Sequence, residues 1–187
     1  MKKLKYSRPF NSRDYFSENL LPAEIFAGRK TIRQQLPFTQ HDELELLLIR
    51  GGQGTLTVNS TEFPVSQGSF FCFSPHHFHR LIPQKGHAIE LSECHVNSGV
   101  YFYISACPYF RAIGKVPLYP PLYAQLSPSD ARRVESLIDE IAREHQKKTL
   151  DTMETQRCFF LLLRLFGILE KFSQIPESSV FSLDLPV

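Results

Sequence analysis

Tryptophan is absent from these 187 residues, and methionine occurs only twice. Any flat ligand surface must therefore be met by the smaller rings of 16 Phe and 7 Tyr. Cysteine is scarce as well. Cys72, Cys94, Cys107 and Cys158 stand far apart, with neither a C-x-x-C pair nor the spacing of a disulfide framework. Reduced thiols in a cytosolic protein are the expected state. Cys94 and His95 are neighbours in sequence, but adjacent residues on a strand point to opposite faces, so they do not form a joint metal or nucleophilic pair. An excess of one charge is missing too. Lys and Arg total 21 against 19 Asp and Glu, a net charge of +2, which excludes a chain held on nucleic acid by a dense positive surface. Long apolar runs are lacking. The longest, Cys158 to Leu163, is far short of the roughly 20 residues a membrane helix needs. The basic start at Lys2, Lys3 and Lys5 is followed by Ser7, Arg8, Asn11, Arg13 and Asp14, so no signal-peptide core follows it.

What is present suits one globular domain with a real core. The chain is 42% hydrophobic and 21% charged, and its length is close to that of a common single domain. Its first two-thirds carry strand signals. Short apolar segments run Leu44 to Arg50, Thr55 to Val58, Phe63 to Val65, Ser69 to Phe73, Phe78 to Ile82, Ala88 to Val96 and Val100 to Ser105. Gly, Asn, Ser and Pro separate most of them. This pattern predicts an all-β barrel or sandwich. Ala23 to Ala27 and Arg29 to Leu36 are further strand candidates. From Cys107 to Leu126 the prolines at 108, 117, 120 and 121 predict irregular chain lying on the barrel. In Ala88 to Val96, Glu90, Ser92 and Cys94 share one face while Ile89 and Leu91 share the other. Alternation alone leaves open which face is inside.

The last third predicts two helices. Ser127 caps the first, Pro128 suits its first position, and Asp130 follows three residues after the cap. Val134, Leu137, Ile138 and Ile141 recur at helical spacing, and Lys147 and Lys148 suit the end. The second helix runs from Asp151 to Phe172. Its Arg157, Arg164 and Lys171 fall seven apart on one line, and most positions from Cys158 to Leu169 are apolar. A helix on a surface needs an apolar stripe only a little over 100° wide. This one must bury two sides, against its own domain and either a second subunit or the first helix. Leu161, Leu165 and Leu169 are the candidate dimer contacts. Pro176 to Val187 has no period and reads as a linker, which implies that something follows it.

Two blocks carry chemistry. The first is Thr39-Gln40-His41-Asp42-Glu43-Leu44-Glu45, with Gly52 beyond it; the second runs from Gly68 to His79. His41 and Glu45 are four apart on extended chain and so share a face. His79, from a later strand, can join them inside a barrel. Imidazole nitrogen and carboxylate oxygen together suit Zn, Ni, Fe or Mn. His76, His77 and His79 crowd together, but only His77 and His79 share a strand face. A solvated turn is the expected place for His76 and His77.

These blocks resemble the two cupin motifs, H-x-H-x(3,4)-E-x6-G and G-x5-P-x-G-x2-H. They are more similar still to the N-terminal arabinose-binding-type domain of AraC-family transcription regulators. There E-x6-G-x-G-T-L is matched by Glu45, Gly52, Gln53, Gly54, Thr55 and Leu56, and Phe63 to His79 follows the pattern leading to that family's His. The resemblance spans about residues 23 to 175 and implies a mainly β fold with C-terminal helices (α+β). That fold is a cupin-like barrel, a double-stranded β-helix, followed by two antiparallel helices. By residue, 1–126 would be the effector barrel with an N-terminal arm, 127–175 the dimerisation element, and 176–187 a linker to an absent DNA-binding domain. It also implies a cytoplasmic, non-enzymatic sensor. A small polar effector, sugars included, would bind at His41, Glu45 and His79, without cofactor or metal. Homodimers would form through the C-terminal helices, and DNA would be bound only through a helix-turn-helix region beyond this chain. No membrane is implied as a partner. Departures remain: Thr39 stands where a metal-binding cupin has its first His, Ser74 and His76 replace the Pro and Gly of the second motif, and Pro83 replaces its closing Asn. His41, Glu45 and His79 with water would still make an adequate metal site. A metal-dependent cupin enzyme is therefore the alternative reading, and a solid barrel serving only as scaffold is a third.

Overall fold

The structure, a computed structural model, describes residues 25–75, 77–105, 122–145 and 152–173. Among the described residues, eight strands and three helices follow in order: β1 (Ile25–Ile32), β2 (Leu44–Gly51), β3 (Gly54–Val58), β4 (Thr61–Val65), β5 (Ser69–Phe73), β6 (His79–Pro83), β7 (Ile89–Val96), α1 (Ser98–Ser105), β8 (Leu122–Gln125), α2 (Pro128–His145) and α3 (Thr152–Ser173). The strands form two antiparallel sheets, one in the order β1-β7-β2-β5-β8 and the other β4-β3-β6. The large sheet has two covered faces. Ile25, Ala27, Leu46, Leu48, Phe70, Cys72, Cys94 and Val96 face α2 and α3 in one core. Ile32, Leu47, Ile49, Phe71, Phe73, Ile89 and Leu91 face Leu56, Val58, Phe63, Val65 and Leu81 of the small sheet in another.

Two-sided burial explains why β2 reads as Leu-Glu-Leu-Leu-Leu-Ile rather than as an alternating strand. Leu44, Leu46 and Leu48 go to the helices, while Glu45, Leu47 and Ile49 go between the sheets. The same register settles β7. Ile89 and Leu91 point between the sheets, so Glu93 and His95 do as well, and Ser92 and Cys94 turn towards the helices.

Most expected strands are present with their ends moved by a residue or two. The two early candidates are one strand, β1, paired along its whole length with β7. Val100 to Ser105, expected as a strand, is helical. Asn97 Oδ1 accepts the Gly99 N–H at 2.8 Å, and the Tyr101 N–H reaches the Asn97 carbonyl, so a cap starts a helix despite the β-branched and aromatic composition. The stretch expected to be irregular up to Leu126 includes β8, which completes the large sheet beside β5; residues 106–121 lie outside the described residues. The cap of α2 is as expected: the Asp130 N–H donates to Ser127 Oγ, which donates in turn to Asp130 Oδ2. Arg29 of β1 pairs with Asp139 and Glu135, and Arg50 of β2 with Glu135, fastening α2 to the barrel. The N-terminal arm and the linker at 176–187 fall outside the described residues.

Two glycines differ instructively. Gly52 has φ +86°, and a Cβ there would lie 1.9 Å from the Ala88 carbonyl oxygen. Gly86 has φ +82° with nothing within 4 Å of that position. Gly52→Ala therefore costs strain and a backbone collision, more than about 3 kcal/mol, whereas Gly86→Ala costs only the left-handed strain, about 1–2 kcal/mol. Denaturant melts of the two variants measure the difference. Equal losses would show that β7 is not clamped against the β2–β3 turn.

Candidate functional site

Glu45 sits near the start of β2 on its inward face, and its residue exposure is 5%. In register it stands opposite His95 of β7 on one side and Phe73 of β5 on the other. The segment before β2 brings in His41, and β6 of the small sheet brings in His79. Thr39 bridges to His79 through a pair of backbone hydrogen bonds, which closes this end of the barrel. Leu47, Ile49, Ile89 and Leu91 fill the interior beyond it. The barrel interior thus has a polar end and an apolar remainder.

The three residues expected to bind ligand do converge. His41 Nε2 lies 2.9 Å from Glu45 Oε2, and His79 Nε2 lies 3.2 Å from the same oxygen. The other ring nitrogens are held by main chain. His41 Nδ1 donates to the Glu43 carbonyl and His79 Nδ1 to the His77 carbonyl, each at 3.1 Å. Thr39 Oγ1 lies 3.1 Å from His79 Nε2 and 3.2 Å from the His79 carbonyl. The His79 ring stacks on Phe73 with centroids 4.9 Å apart and planes within 4°.

His95 belongs to the same cluster and was not expected there. Its Nε2 is 4.0 Å from Glu45 Oε1 and 3.8 Å from Glu93 Oε2. Its ring meets His41 edge-on at 5.1 Å and leans on Phe26 at 5.9 Å. Glu93 is buried beside it and pairs with Lys30 of β1 at 2.6 Å. Glu43, also buried, places a carboxylate oxygen 3.5 Å from His41 Nδ1. The signal for His95 and Glu93 was the alternation of β7, readable once Ile89 and Leu91 are assigned inward. His77, expected to be solvated, is buried, and its carbonyl accepts from the His79 ring. His76 lies outside the described residues.

Burial opposes ionisation of Glu45. The nearby His95 and His79 and the hydrogen bonds from His41 and His79 more than offset it, holding the carboxyl well below its ordinary value. Burial likewise opposes a charge on His41, yet the Glu45 hydrogen bond and the charges of Glu45 and Glu43 raise its pKa above 6.5. Elsewhere in the large sheet, burial pushes the Cys72 thiol up to about 12, so it is an inert core residue. His41, Glu45 and His95 offer donor atoms within 4.8 Å of one another, and His79 Nε2 approaches the Glu45 carboxylate alone. Such an N/O set can hold a late divalent transition metal, or donate to and accept from a polar organic guest.

The expected dimer contacts are placed differently. Leu165 is fully buried in the chain's own core against the large sheet and α2, and Leu161 is half-buried on the edge of that core. The Leu169 side chain lies outside the described residues. A partner could not reach Leu165 without opening the core. The outward stripe of α3 carries Phe160, 63% exposed, with half-buried Leu163 and exposed Gly167. No helix among the described residues is long and apolar enough to cross a membrane.

Among curated proteins, none matches this chain by sequence. Among solved structures, ToxT from Vibrio cholerae aligns over 81% of this chain and 58% of its own, at 8% identity and a TM-score of 0.51. ToxT from strain SCE256 with an unsaturated fatty acid bound aligns over 81% and 56%, at 12% identity and a TM-score of 0.51. A cupin protein from Bacteroides fragilis aligns over 40% of this chain and 65% of its own, at 16% identity and a TM-score of 0.35. The chain thus spans less than two thirds of each of these proteins. The ToxT likeness supports the fold, a mainly β, cupin-like unit followed by helices. The sequence description of the AraC-like ligand binding domain matches residues 22–155. That match takes in every strand, α2 and the whole polar cluster, and the chain belongs to the AraC-like ligand binding domain family.

Proposed function

We propose that this chain is the effector-sensing and dimerisation part of an AraC-type transcription regulator, and not an enzyme. A small polar metabolite enters the polar end of the barrel, where His41, Glu45, His79 and His95 exchange hydrogen bonds with it. Phe26 and Phe73, the rings beside His95 and His79, offer it apolar surface. Sugars fit this chemistry, as do other compounds with several hydroxyl or amino groups. DNA is contacted by a helix-turn-helix region outside this chain, in the cytoplasm. The observation that supports the reading is the convergence of one buried carboxylate and three imidazoles inside the barrel.

Strand β2 gives the site a route outward. Glu45 stands near its start, and Arg50 near its end pairs with Glu135 of α2 at 2.6 Å. Leu46 and Leu48, between them, pack in the core shared with α2 and α3. A guest that binds one position of β2 better than another therefore biases the helices by that difference in affinity, and by no more. The helices carry the effect to a second subunit through the Phe160, Leu163 and Gly167 stripe, since residues three and four apart on a helix line up on one face.

Two experiments test this. In a thermal-shift series of sugars, sugar acids and amino alcohols, a ligand held at a hundred times its Kd stabilises the protein by about 2.7 kcal/mol. The shift should vanish in His41→Ala and in His79→Ala. A ligand that still shifts both variants binds elsewhere, and the effector reading fails. In light scattering the chain should run as a dimer, and Phe160→Lys should convert it to a monomer with its melting midpoint intact. Leu165→Ala, by contrast, should cost about 2–5 kcal/mol as a core truncation. A Phe160→Lys protein that stays dimeric would remove α3 from the interface.

A further inference from the structure

We infer that the effector is an organic cation, a small hydroxylated compound whose primary ammonium group sits between Glu45, Glu93 and His95. The inference rests on the sensor reading and narrows it, setting neutral sugars and sugar acids aside.

The first ground is charge. Glu43, Glu45 and Glu93 are all buried and gather at one end of the barrel. A carboxylate withdrawn from water needs a cation or strong donors close by. Two of the three have them. Glu45 Oε2 meets His41 and His79, and Glu93 Oε1 meets Lys30 Nζ at 2.6 Å. Glu43 is served less well. His41 Nδ1 lies 3.5 Å from its Oε2 but donates to the Glu43 main-chain carbonyl. That buried Oε2 accepts no hydrogen bond from any described residue. Three imidazolium ions are a poor remedy for the excess of negative charge. The His79 and His95 rings stand 5.2 and 5.1 Å from His41, and like charges so close oppose one another. A cationic guest supplies what the chain lacks.

The second ground is geometry. His95 Nε2 lies 4.0 Å from Glu45 Oε1 and 3.8 Å from Glu93 Oε2. Both separations are too long for a hydrogen bond, and a single nitrogen about 2.8 Å from each of the three atoms spans them. Glu45 Oε1 is the oxygen that His41 and His79 leave over. An ammonium group has three N–H donors and no acceptor, so each carboxylate oxygen and the His95 nitrogen can take one proton. Access is from the side of β1, the edge strand of the large sheet. Gly28 stands opposite Glu93 in register and has no side chain to cover it. Lys30, two residues on, already brings an alkylammonium to Glu93 from this edge, with 42% of its side chain exposed. The chain's own lysine thus shows which chemistry the carboxylate accepts. An acid entering here meets three carboxylates and is rejected by like charge.

The test compares amines with isosteres of other charge on the 187-residue chain, by calorimetry and thermal shift. The amines are glucosamine, galactosamine, ethanolamine, putrescine and spermidine; the comparators are glucose, N-acetylglucosamine and glucuronate. At least one amine should bind more tightly than every comparator, and N-acetylation should abolish its binding. Glu93→Gln should weaken the amine at least about tenfold. Lys30→Met should tighten it severalfold, because a competing ammonium is gone; a merely structural role for Lys30 predicts loss instead. Lys85→Met, in an exposed turn, should bind like the parent. If Glu93→Gln does not fold, the sign of the Lys30→Met effect decides. The inference is overturned if no amine binds at about 10 mM, if glucose or glucuronate binds as tightly as the best amine, or if Lys30→Met weakens that amine. A neutral or acidic compound whose binding His41→Ala abolishes would leave the sensor reading standing while this inference falls.

Discussion

A carboxylate sealed between two β-sheets has to be compensated, and the arrangement around Glu45 follows from that requirement. An isolated charge in such a place costs several kcal/mol even after relaxation. Three imidazoles from three different parts of the chain meet it: one from the segment before β2, one from β6 in the opposite sheet, and one from β7 alongside. The compensation therefore ties the small sheet to the large one at the polar end, as Leu47, Ile49, Phe71 and Leu81 tie them elsewhere. The apolar contacts hold the sheets at their separation. The polar contacts decide what that separation is for.

The helices answer to the other face of the same strand. Because β2 is apolar on both sides, its even-numbered positions belong to the helix core and its odd-numbered ones to the barrel. A displacement of β2 cannot be confined to either layer, since packed interiors transmit strain. The ion pairs of Arg29 and Arg50 with α2 add orientation to that coupling. Their partly exposed position makes them weak sources of stability and better suited to fixing how the helix lies.

Much of this was legible in the sequence, for physical reasons that can be named. Turn residues and short apolar runs located β2 to β7, because glycine and asparagine mark places where the chain must take positive φ, as Asn59 and Gly68 do. The cap at Ser127 was readable because its chemistry is local. His41, Glu45 and His79 were found because period-two spacing and the second motif put them on inward faces. Three things were not legible. Val100 to Ser105 has the composition of a strand, and only the Asn97 cap, a single local hydrogen bond, tips it to helix. His95 was hidden because alternation gives two faces without saying which is inside; that depends on register with β2, a non-local fact. The side of α3 that meets its own core was hidden because a helix apolar over most of its circumference does not show which part of that surface faces its own domain; the structure turns Leu165 inward, although the sequence reading offered it as a dimer contact.

The last of these has a consequence for the site. A helix with one side in its own core and an apolar stripe outside is sensitive to small rotations. The inner side of α3 touches the core that Leu44, Leu46, Leu48 and Cys94 share. Those residues alternate along β2 and β7 with Glu45, Glu93 and His95. In the proposed sensing role, a guest that draws Glu45 and His95 together would change the spacing of two neighbouring strands at one point. The same strands would then present a slightly different floor to α3, and on the proposed reading the outward stripe would turn with the helix. A sensor built this way needs no hinge and no disordered lid. It needs only that the carboxylate and its imidazoles have two arrangements, with and without the occupant, and that the two differ in the floor they offer.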